Sequence, residues 1–467
     1  MLVTVIGTGY VGLTTAVSLA SLGYDVVGVD KDKYKIDLLS KGKSPIHEAH
    51  IEAFLKGTNK NISFTFDTSE AVGNADIIII AVGTPPKQNG NADICYVETA
   101  AKEVAESLKP GGKYVLVVKS TVPIGTNRRV ANIVNRVLFK RGVKAKVYTA
   151  SNPEFLREGM ALHDTLYPDR IIVGTEQPEA VEALRRLYKP ILEQTFSPPP
   201  FLPRPEVYSL PPLITTDPTS SEMIKYAANA FLALKISFIN EIAGLCEKVG
   251  ADVKEVARGI GMDPRIGPRF LQAGLGWGGS CFPKDSAALQ ALAAECNYVM
   301  PILEASRQVN IRQRQMVIEK LQSALKVLRG RTIAILGLAF KPETDDVREA
   351  PALDIIRTLL NLEAHVKAHD PVAMENARVV LEGFDVEFCE HPYSAVKGCD
   401  AVVLATEWNE YEQLDLKKLA SSMRMPVLVD GRNLFNPTEA SRAGFIYMGI
   451  GRESLAYTRV FTMAGGA

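Results

Sequence analysis

The stretch "LVTVIGTGYVGLTTAVSLASLGYDVVGVD", residues 2–30, decides the fold of this chain. It opens with the β-rich run "LVTVIG", continues with helical spacing as far as Gly23, and ends with a second apolar run, "DVVGVD". A strand, a helix and a second strand in such quick succession predict a β-α-β unit and therefore a parallel sheet.

The turn inside this unit, "GTGYVG" (7–12), matches the pattern G-x-G-x-x-G. Gly7 permits the tight turn, and Gly9 lets a pyrophosphate approach the backbone at the N-terminus of the following helix. Gly12 allows the helix and the strand to pack closely. Because a strand precedes the motif and a helix follows it, the pattern predicts a dinucleotide site.

The acidic residue at the end of the second strand, Asp30, indicates which dinucleotide binds. Its carboxylate can accept hydrogen bonds from both ribose hydroxyls and would repel a 2′-phosphate, which favours NAD over NADP. Three nearby cations weaken this preference: Lys31, Lys33 and Lys35.

Further strands and helices alternate along the rest of the chain. Apolar runs at 75–85, 113–121, 145–155 and 170–175 extend the first sheet, and the pattern restarts at 330–340, 364–371, 399–408 and 425–433. The fold class is therefore α/β, with two Rossmann-like parallel-sheet domains joined by a long central helix and a helical domain.

Four segments follow from this pattern, and two of them lie between the two α/β domains. The stretch 196–213 contains seven prolines, which exclude regular helix or central strand and predict an exposed linker or arm. Residues 217–250 predict one helix of about 30 residues, roughly 45 Å long, apolar around most of its circumference and therefore buried between domains or subunits. The predicted boundaries are 1–195, 196–216, 217–328 and 329–467.

Composition excludes several functional classes. Acidic and basic residues number 53 each, so the net charge is zero and no attraction to nucleic acid or to a membrane surface is expected. The six cysteines form no C-x-x-C pair, which argues against a zinc site and a disulfide framework and favours a reducing compartment. Without a signal-peptide pattern or a long apolar span, we expect a cytoplasmic protein that uses no metal.

A lone thiol, Cys281, lies in the glycine-rich stretch "GLGWGGSCFPKD" (274–285). A single cysteine in a chain of this size is more often a small buried hydrophobe than a nucleophile. Three features favour the nucleophile: preceding glycines that remove bulk, Lys284 as a cation that favours the thiolate, and the carboxylate of Asp285. The local pattern leaves both interpretations open.

Two donors, Lys225 and Asn229, are spaced i, i+4 on one face of the long apolar helix. Buried polar groups need partners, and either a salt bridge with the chain's own acids or an oxyanion would serve. Thr121, Glu154 and Glu158 follow strands of the first sheet, where ligands bind beyond the strand ends, although capping and turn roles are common there.

The second α/β domain replaces the glycine motif with "GLAFKPETDDVREAP" (337–351). One early glycine is poor for a dinucleotide, but Lys341 and Arg348 could hold phosphates. A solvated charged loop is the alternative interpretation.

Taken together, these motifs resemble the UDP-glucose/GDP-mannose dehydrogenase family, and most closely its members that act on UDP-glucose. The resemblance spans nearly the whole chain, through "GTGYVGL", "NPEFLREG", "KYAANAFLALKISFINE", "GGSCFPKD", "GLAFKPETDDVREAP" and "YMGIGR". It implies a four-electron oxidation with two NAD, in which carbon 6 of UDP-glucose becomes the carboxylate of UDP-glucuronate and no aldehyde is released. It also implies a homo-oligomer, at least a dimer, with the long helix at the dimer core.

The resemblance assigns roles residue by residue. Cys281 is implied to be the nucleophile, with Lys225 and Asn229 stabilising an oxyanion, and Asp285, Thr121 and Glu154 acting on water and protons. The implied cofactor contacts, besides the motif glycines, are Tyr10, Val11, Asp30, Lys35, Thr84, Thr121, Glu158, Lys284 and Arg348. The implied nucleotide-sugar contacts are Glu154, Phe155, Leu156, Arg157, Glu158, Lys225, Asn229, Phe270, Leu271, Gln272, Ala273, Gly274, Gly278 and Lys341, with Arg265 reaching a neighbouring subunit's substrate.

Other substrates and functions stay open at this point. GDP-mannose or a UDP-N-acetylhexosamine are alternatives within the family, but its acetamido-sugar enzymes usually carry a histidine where this chain has Ser280. A redox-silent nucleotide-binding relative would not need Cys281, Lys225, Asn229 and Asp285 together. A two-electron hydroxyacid dehydrogenase would explain neither the cysteine nor the second α/β domain.

Overall fold

The computed structural model describes residues 1–58 and 60–453, which form two compact units. Unit 1 comprises 1–228 and 287–296, and unit 2 comprises 229–286 with the described residues from 297 onward. The predicted last domain extends to 467, so its residues 454–467 lie outside the described residues.

Unit 1 is built on an eight-stranded sheet with the order β3-β2-β1-β4-β5-β6-β7-β8. Its strands are β1 Leu2–Ile6, β2 Asp25–Val29, β3 Ile62–Thr65, β4 Ile77–Ile80, β5 Lys113–Val118, β6 Lys146–Ser151, β7 Ile171–Gly174 and β8 Leu213–Thr216. Strand order reverses between β1 and β4, and a crevice for ligands forms at such a switch point.

Two strands of this sheet, β7 and β8, run antiparallel to the other six. The predicted sheet is parallel, yet β7 pairs antiparallel with β6 and parallel with β8, which the sequence pattern missed. The four residues of β7 are all buried, and an apolar run buried on both faces has the same pattern whichever way the strand points.

Helices cover both faces of the sheet. They are α1 Tyr10–Ser21, α2 Lys33–Ser40, α3 Ile51–Gly57, α4 Thr68–Val72, α5 Cys95–Ser107, α6 Thr126–Arg141, α7 Ala161–Leu166 and α8 Pro178–Leu192. Two apolar clusters, one on each face, pack the sheet against α1 and α8 and against α5 and α6.

The proline-rich segment 196–213 is largely exposed, as its composition predicted, but three partly buried side chains anchor it to unit 1. Phe196, Leu202 and Tyr208 pack against an apolar cluster of unit 1 that includes Tyr167. The Tyr167 hydroxyl donates to the Leu202 carbonyl at 2.9 Å, and the Tyr208 hydroxyl donates to the Pro168 carbonyl at 3.0 Å. Proline prevents regular structure without preventing burial of the aromatic residues between the prolines.

Unit 2 contains a six-stranded, wholly parallel sheet with the order β11-β10-β9-β12-β13-β14. Its strands are β9 Thr332–Leu336, β10 His365–His369, β11 Val386–Phe388, β12 Ala401–Leu404, β13 Val427–Asp430 and β14 Ile446–Gly449. The helices that flank it or precede it are α10 Val253–Gly261, α12 Pro301–Leu325, α13 Pro351–Asn361, α14 Met374–Val380, α15 Pro392–Val396, α16 Asn409–Glu412, α17 Leu416–Ser422 and α18 Pro437–Arg442.

Two helices carry residues of both units: α9 Pro218–Val249 and α11 Phe282–Glu295. The 32 residues of α9 confirm the predicted long helix. By length and composition alone α9 could cross a membrane, but a core helix of a soluble protein passes the same test. Its side chains Glu222, Lys225 and Asn240 are buried and hydrogen-bonded, as expected for a helix packed within the fold.

Candidate functional site

The loop between β1 and α1 has the geometry that its glycines predicted. Gly7 has φ +97°, and a Cβ there would lie 2.6 Å from the Ala81 carbonyl oxygen. A Cβ on Gly12 would lie 1.8 Å from the Gly7 carbonyl oxygen, so only glycine allows this close packing. Gly9, the N-cap of α1, would meet nothing within 4 Å, so the space in front of the helix N-terminus is open.

Asp30 follows β2 and is tied to the same loop. Its Oδ2 accepts hydrogen bonds from the backbone N–H and the hydroxyl of Thr8 at 2.8 and 2.7 Å. Burial raises the pKa of Asp30, but hydrogen bonds from Asp32 and Thr8 and the charge of Lys35 outweigh it and lower the pKa overall. The carboxylate therefore stays ionised and repels a 2′-phosphate.

The three lysines that weakened the preference for NAD are placed differently. Lys31 pairs with Glu103 at 2.5 Å, and the Lys33 ammonium lies 4.9 Å from the ring centre of Phe66. Only for Lys35 does the structure indicate an effect on Asp30, through its charge. These contacts leave the predicted preference for NAD in place.

The residues of unit 1 fit a dinucleotide. The N-terminus of α1, at Tyr10, faces open space in which a pyrophosphate would fit, and Val11 lies in the same first turn. On the other side of the switch point, the Thr84 hydroxyl donates to the Thr121 carbonyl at 2.8 Å, which brings two predicted contacts together. When bound, NAD accepts hydride; the protein supplies the surface that orients it.

Glu154 and Lys225 form a buried ion pair in unit 1. Lys225 Nζ donates to Glu154 Oε1 at 2.9 Å, and both side chains are less than a tenth exposed. Burial raises the pKa of Glu154, but Lys225, the Leu156 N–H and the charge of Lys119 outweigh it and lower the pKa overall. The salt-bridge alternative for Lys225 is therefore present, and its partner is itself a predicted site residue.

The loop 152–160 that carries Glu154 is held from several sides. Phe155 lies beneath the guanidinium of Arg170, 3.9 Å from its carbon to the ring centre. Arg157 makes a two-point hydrogen bond with Asp164, and Glu158 follows it in the loop. Glu48, buried and missed by sequence reasoning, accepts from the N–H groups of residues 159 and 161.

Glu222, one turn before Lys225, anchors the neighbouring loop that leads from Thr121 into α6. Its carboxylate accepts from the N–H of Gly125 at 2.5 Å and of Asn127 at 2.7 Å, satisfying the helix N-terminus. Burial raises the pKa of Glu222 to about 7 against these two hydrogen bonds. The group was missed because a glutamate near a helix start resembles an ordinary surface residue.

Glu222 predicts a specific pH dependence of stability. Between its ordinary pKa and about 7 the folded protein binds more protons at this site than the unfolded chain, so stability falls as pH rises through that window. We expect the melting temperature of wild type relative to Glu222→Gln to decline between about pH 5 and 7. A pH-independent difference between the two melting curves would contradict this assignment.

In unit 2, Cys281 lies at the N-terminus of α11. Its carbonyl accepts the first helical hydrogen bond, from the N–H of Asp285 at 2.8 Å, and its sulfur lies 3.5 Å from the Ser280 hydroxyl. The thiol is partly exposed rather than buried. A helix N-terminus and partial exposure are the setting expected of a reactive cysteine rather than of a small buried residue, and the nucleophilic role stays a prediction.

Asp285 connects two other predicted residues. It is 1 % exposed; its Oδ2 accepts from Asn229 Nδ2 at 2.6 Å and its Oδ1 accepts from Lys284 Nζ at 2.5 Å. The carboxylate is thus charge-compensated and fixed one turn along α11 from Cys281. Lys284 was predicted as a cofactor contact, and in the structure its ammonium group forms an ion pair with the Asp285 carboxylate.

The glycines before Cys281 have a different role from the predicted one. A Cβ at Gly276 would lie 2.3 Å from Asn310 Oδ1, one at Gly278 2.3 Å from the Glu349 carbonyl oxygen, and one at Gly279 2.8 Å from the Phe340 ring. The missing side chains would point into protein, not into space for a substrate. The glycines therefore permit close packing of the loop.

Amide side chains of two helices clamp this loop, and sequence reasoning missed all of them. Asn310 accepts from the N–H of Trp277 at 2.7 Å and donates to its carbonyl at 3.0 Å. Asn240 accepts from the N–H of Gly274, and Gln313 donates to its carbonyl, both at 2.8 Å. Polar residues on the inner face of α12 were the available signal, but they resemble a solvated helix face.

Gly278→Ala tests this packing. Its Cβ would meet the Glu349 backbone, so the loop must shift. We expect a loss of about 1–3 kcal/mol in stability and roughly 10²-fold in kcat, the cost of a displacement near 1 Å. Gly244→Ala, on α9 with no neighbour within 4 Å, is the matched control and should be neutral or stabilising. Equal behaviour of the two variants in melting and turnover assays would refute the packing role.

The remaining predicted contacts of unit 2 lie on two loops, one between α10 and α11 and one between β9 and α13. Arg265 is exposed and pairs with Asp263 at 2.6 Å. Arg348 pairs with Asp346 at 2.7 Å, while its carbonyl accepts from the N–H of Gly279. The segment 270–274 has Leu271 and Ala273 buried and Phe270 at φ +65°, and Lys341 Nζ lies 5.7 Å from the Phe340 ring centre.

The second sheet lacks the acceptor that the first offers to a ribose. Asp370 follows β10 as Asp30 follows β2, but it is 2 % exposed. Its oxygens accept from the N–H groups of Leu338, Ala339, Val372 and Ala373 and from the Trp408 indole. The carboxylate of Asp370 is thus occupied by its own domain, whereas Asp30 is partly exposed.

Comparison with known proteins matches all three parts of one family. Models of the UDP-glucose/GDP-mannose dehydrogenase family match its NAD binding domain at residues 1–192, its central domain at 219–312 and its UDP binding domain at 334–437. These ranges cover most of the chain.

Individual relatives extend over nearly the whole length. The chain is 44 % identical to the UDP-glucose 6-dehydrogenase TuaD of Bacillus subtilis, covering 98 % of this chain and 94 % of that protein. It is 45 % identical to a UDP-glucose 6-dehydrogenase of Rhizobium meliloti, covering 97 % and 100 %. A solved UDP-glucose dehydrogenase from Pyrobaculum islandicum matches with a TM-score of 0.85 at 39 % identity, covering 97 % of this chain and 98 % of that one.

Proposed function

The chain belongs to the UDP-glucose/GDP-mannose dehydrogenase family, and from this premise we propose that it oxidises carbon 6 of UDP-glucose to give UDP-glucuronate. It is an NAD-dependent oxidoreductase. The substrate is proposed from the UDP binding domain and from the activity that its relatives are named for.

The proposed reaction passes through a covalent bond between carbon 6 and the Cys281 sulfur. Bound at the β1–α1 loop, NAD⁺ would supply the hydride acceptor for each of the two oxidations of carbon 6, so two molecules would be reduced per sugar. After the alcohol has become an aldehyde, the Cys281 thiolate adds to it and the product, a thiohemiacetal, can lose the second hydride. The resulting thioester is hydrolysed by water, which releases the carboxylate and returns the thiol.

We assign the supporting roles from the contacts already described. Lys225 and Asn229 carry N–H groups that can donate to the oxyanion on carbon 6. Asp285, held by Asn229, and Glu154, held by Lys225, act with Thr121 on the water and the protons. Each donor is paired with a carboxylate in the structure, which keeps it charged or oriented before the substrate binds.

One observation carries the proposal: Cys281 lies at a helix N-terminus one turn from the buried, doubly hydrogen-bonded Asp285. The test is the ratio of NADH formed to nucleotide sugar consumed, measured for UDP-glucose, GDP-mannose and two UDP-N-acetylhexosamines. We expect a ratio of two with UDP-glucose and an acid product. A ratio of one, or turnover with another sugar alone, would overturn the proposal.

Ser280 favours UDP-glucose over the acetamido sugars. The family's acetamido-sugar enzymes usually carry histidine before the cysteine, whereas Ser280 here places a small hydroxyl 3.5 Å from the Cys281 sulfur. The nucleotide sugar is proposed to contact 154–158, 270–274, Gly278 and Lys341. Arg348 and Glu158 are proposed as cofactor contacts.

We also propose a homo-oligomer formed through α9. Phe231, Phe238 and Leu245 recur every seven residues on one face of the helix and are 61 %, 47 % and 58 % exposed. An exposed apolar stripe of this length marks an interface between protein chains. Arg265, exposed on the same unit, is proposed to reach a substrate bound by the partner.

The oligomer predicts a clear effect of charge on the stripe. Phe238→Glu should shift the sedimentation coefficient at micromolar protein from dimer or larger to monomer, since a buried unpaired carboxylate is costly. Lys140→Glu changes the charge of an exposed residue on α6, outside α9, and should leave sedimentation unchanged. A monomeric wild type would contradict the interface.

The compartment is proposed from the cysteines. All six cysteines lie in the described part of the chain, and none is in a disulfide. A chain of this size whose cysteines form no disulfide suits a reducing compartment, and we propose the cytoplasm.

A further inference from the structure

A second buried lysine, Lys119, lies beside Asn152, two residues before Glu154, because the two residues follow the paired ends of β5 and β6, and it has no part in the proposed mechanism. It follows the last residue of β5 and is 8 % exposed. Its Nζ donates to Asn152 Oδ1 at 3.2 Å and lies 5.9 Å from the ring centre of Tyr188. Both partners are neutral, so burying this ammonium group is costly unless a charge nearby compensates for it.

Asn152 holds Lys119 in a defined position. Its Oδ1 also accepts from the Tyr188 hydroxyl at 2.6 Å, and its Nδ2 donates to the Ile172 carbonyl at 2.7 Å. Asn152 is 1 % exposed and stands two residues before Glu154 at the end of β6. The lysine is therefore fixed by a buried amide that two further hydrogen bonds hold in place, rather than by a flexible surface contact.

Two buried lysines accompany the buried carboxylate of Glu154. Glu154 lies in the loop after β6, Lys119 directly follows β5, and Lys225 is on α9. Burial raises the pKa of Glu154, and Lys225, the Leu156 N–H and the charge of Lys119 together lower it below its ordinary value. Lys225 lowers the pKa of Glu154 through a direct hydrogen bond and its charge, whereas Lys119 lowers it through its charge alone.

We propose that Lys119 is a positioning residue whose positive charge keeps Glu154 ionised while Lys225 donates to the oxyanion on carbon 6. This inference rests on the proposed function. In the structure the Lys225 ammonium donates to Glu154 at 2.9 Å, and an oxyanion would compete for that ammonium. When Lys225 is shared between Glu154 and the oxyanion, the positive charge of Lys119 continues to stabilise the ionised carboxylate of Glu154.

Lys119→Met tests the proposal because it removes the charge and keeps the length of the side chain. We expect kcat at neutral pH to fall about 10-fold or more, with KM for the nucleotide sugar changing by less than about threefold. Removing a cation raises the pKa of Glu154, so the acid limb of the kcat profile should move up by about one pH unit. Lys119→Arg keeps the charge and should restore the limb.

Tyr188→Phe is the matched control, since it removes a hydrogen bond to Asn152 and keeps every charge. Its acid limb should coincide with that of wild type. An unmoved limb in Lys119→Met, or equal shifts in Lys119→Met and Tyr188→Phe, would overturn the proposal.

A second readout does not depend on turnover. Carboxyl-¹³C NMR, with the Glu154 signal identified by its loss in Glu154→Gln, should show a higher titration midpoint in Lys119→Met than in wild type. An unchanged midpoint would overturn the inference about Lys119. Absence of NADH from wild type with every nucleotide sugar would instead overturn the proposed function, and the NMR result would still decide the electrostatic role.

Discussion

Cys281→Ser is expected to abolish the two-step oxidation and to leave the fold intact. Serine fits the same position at the N-terminus of α11, but its hydroxyl is far less nucleophilic than a thiolate at neutral pH. We expect the rate of acid formation to fall by about 10³-fold or more, with at most one NADH formed per enzyme-bound sugar. Binding of NAD should persist, because its proposed contacts in unit 1 are unchanged.

The measurement combines NADH stoichiometry with the mass of the intact protein. Wild type quenched during turnover should carry a nucleotide-sugar adduct on the peptide that contains Cys281, and Cys281→Ser should carry none. Full acid yield at wild-type speed from Cys281→Ser, with no adduct in wild type, would exclude the covalent route.

Cys95 provides a matched control for this experiment. It is an exposed cysteine at the first residue of α5, so it shares the helix N-terminal setting of Cys281. Its hydrogen bond with Asp93 raises the pKa of Cys95, so a helix N-terminus alone does not make this thiol reactive. Cys95→Ser should retain wild-type stoichiometry and rate.

The fold was predictable wherever a local pattern fixed the geometry. The motif "GTGYVG" predicted the loop and the helix that follows it, because Gly7 and Gly12 lie where a side chain would collide with backbone atoms. The long helix α9 was equally predictable, since its 32 residues contain no proline or turn signal after the first position that would end the helix early. The pairings of Glu154 with Lys225 and of Asn229 with Asp285 join residues already identified by family resemblance.

What the sequence did not reveal depends on contacts far apart in the chain. The direction of β7 and the docking of the proline-rich segment are set by neighbours that no local pattern contains. The glycines before Cys281 were assigned to substrate access, yet their close contacts are with Asn310, Glu349 and Phe340, more than 25 positions away. Lys119 and Glu222 became meaningful only once burial and charge could be read from three dimensions.

Asp285→Asn is expected to reduce kcat by about 10²- to 10⁴-fold, the range for loss of a positioned acid or base. The substitution preserves shape but removes a charge that two donors share: Asn229 Nδ2 at 2.6 Å and Lys284 Nζ at 2.5 Å. An asparagine can offer its oxygen to only one of them, and its own NH₂ then faces the other donor. Because Asp285 is 1 % exposed, water cannot readily replace the lost acceptor.

The consequence extends to Asn229, which is proposed to donate to the oxyanion. Without the carboxylate its amide loses the hydrogen bond that fixes its orientation, so kcat should fall far more than KM changes. Lys284→Met removes one donor and retains the Asp285–Asn229 contact, so its loss in kcat should be much smaller than that of Asp285→Asn. Steady-state kinetics test the role of Asp285 in turnover, and melting curves show whether the variant is folded. A wild-type kcat in a folded Asp285→Asn variant would rule out a chemical role for this carboxylate.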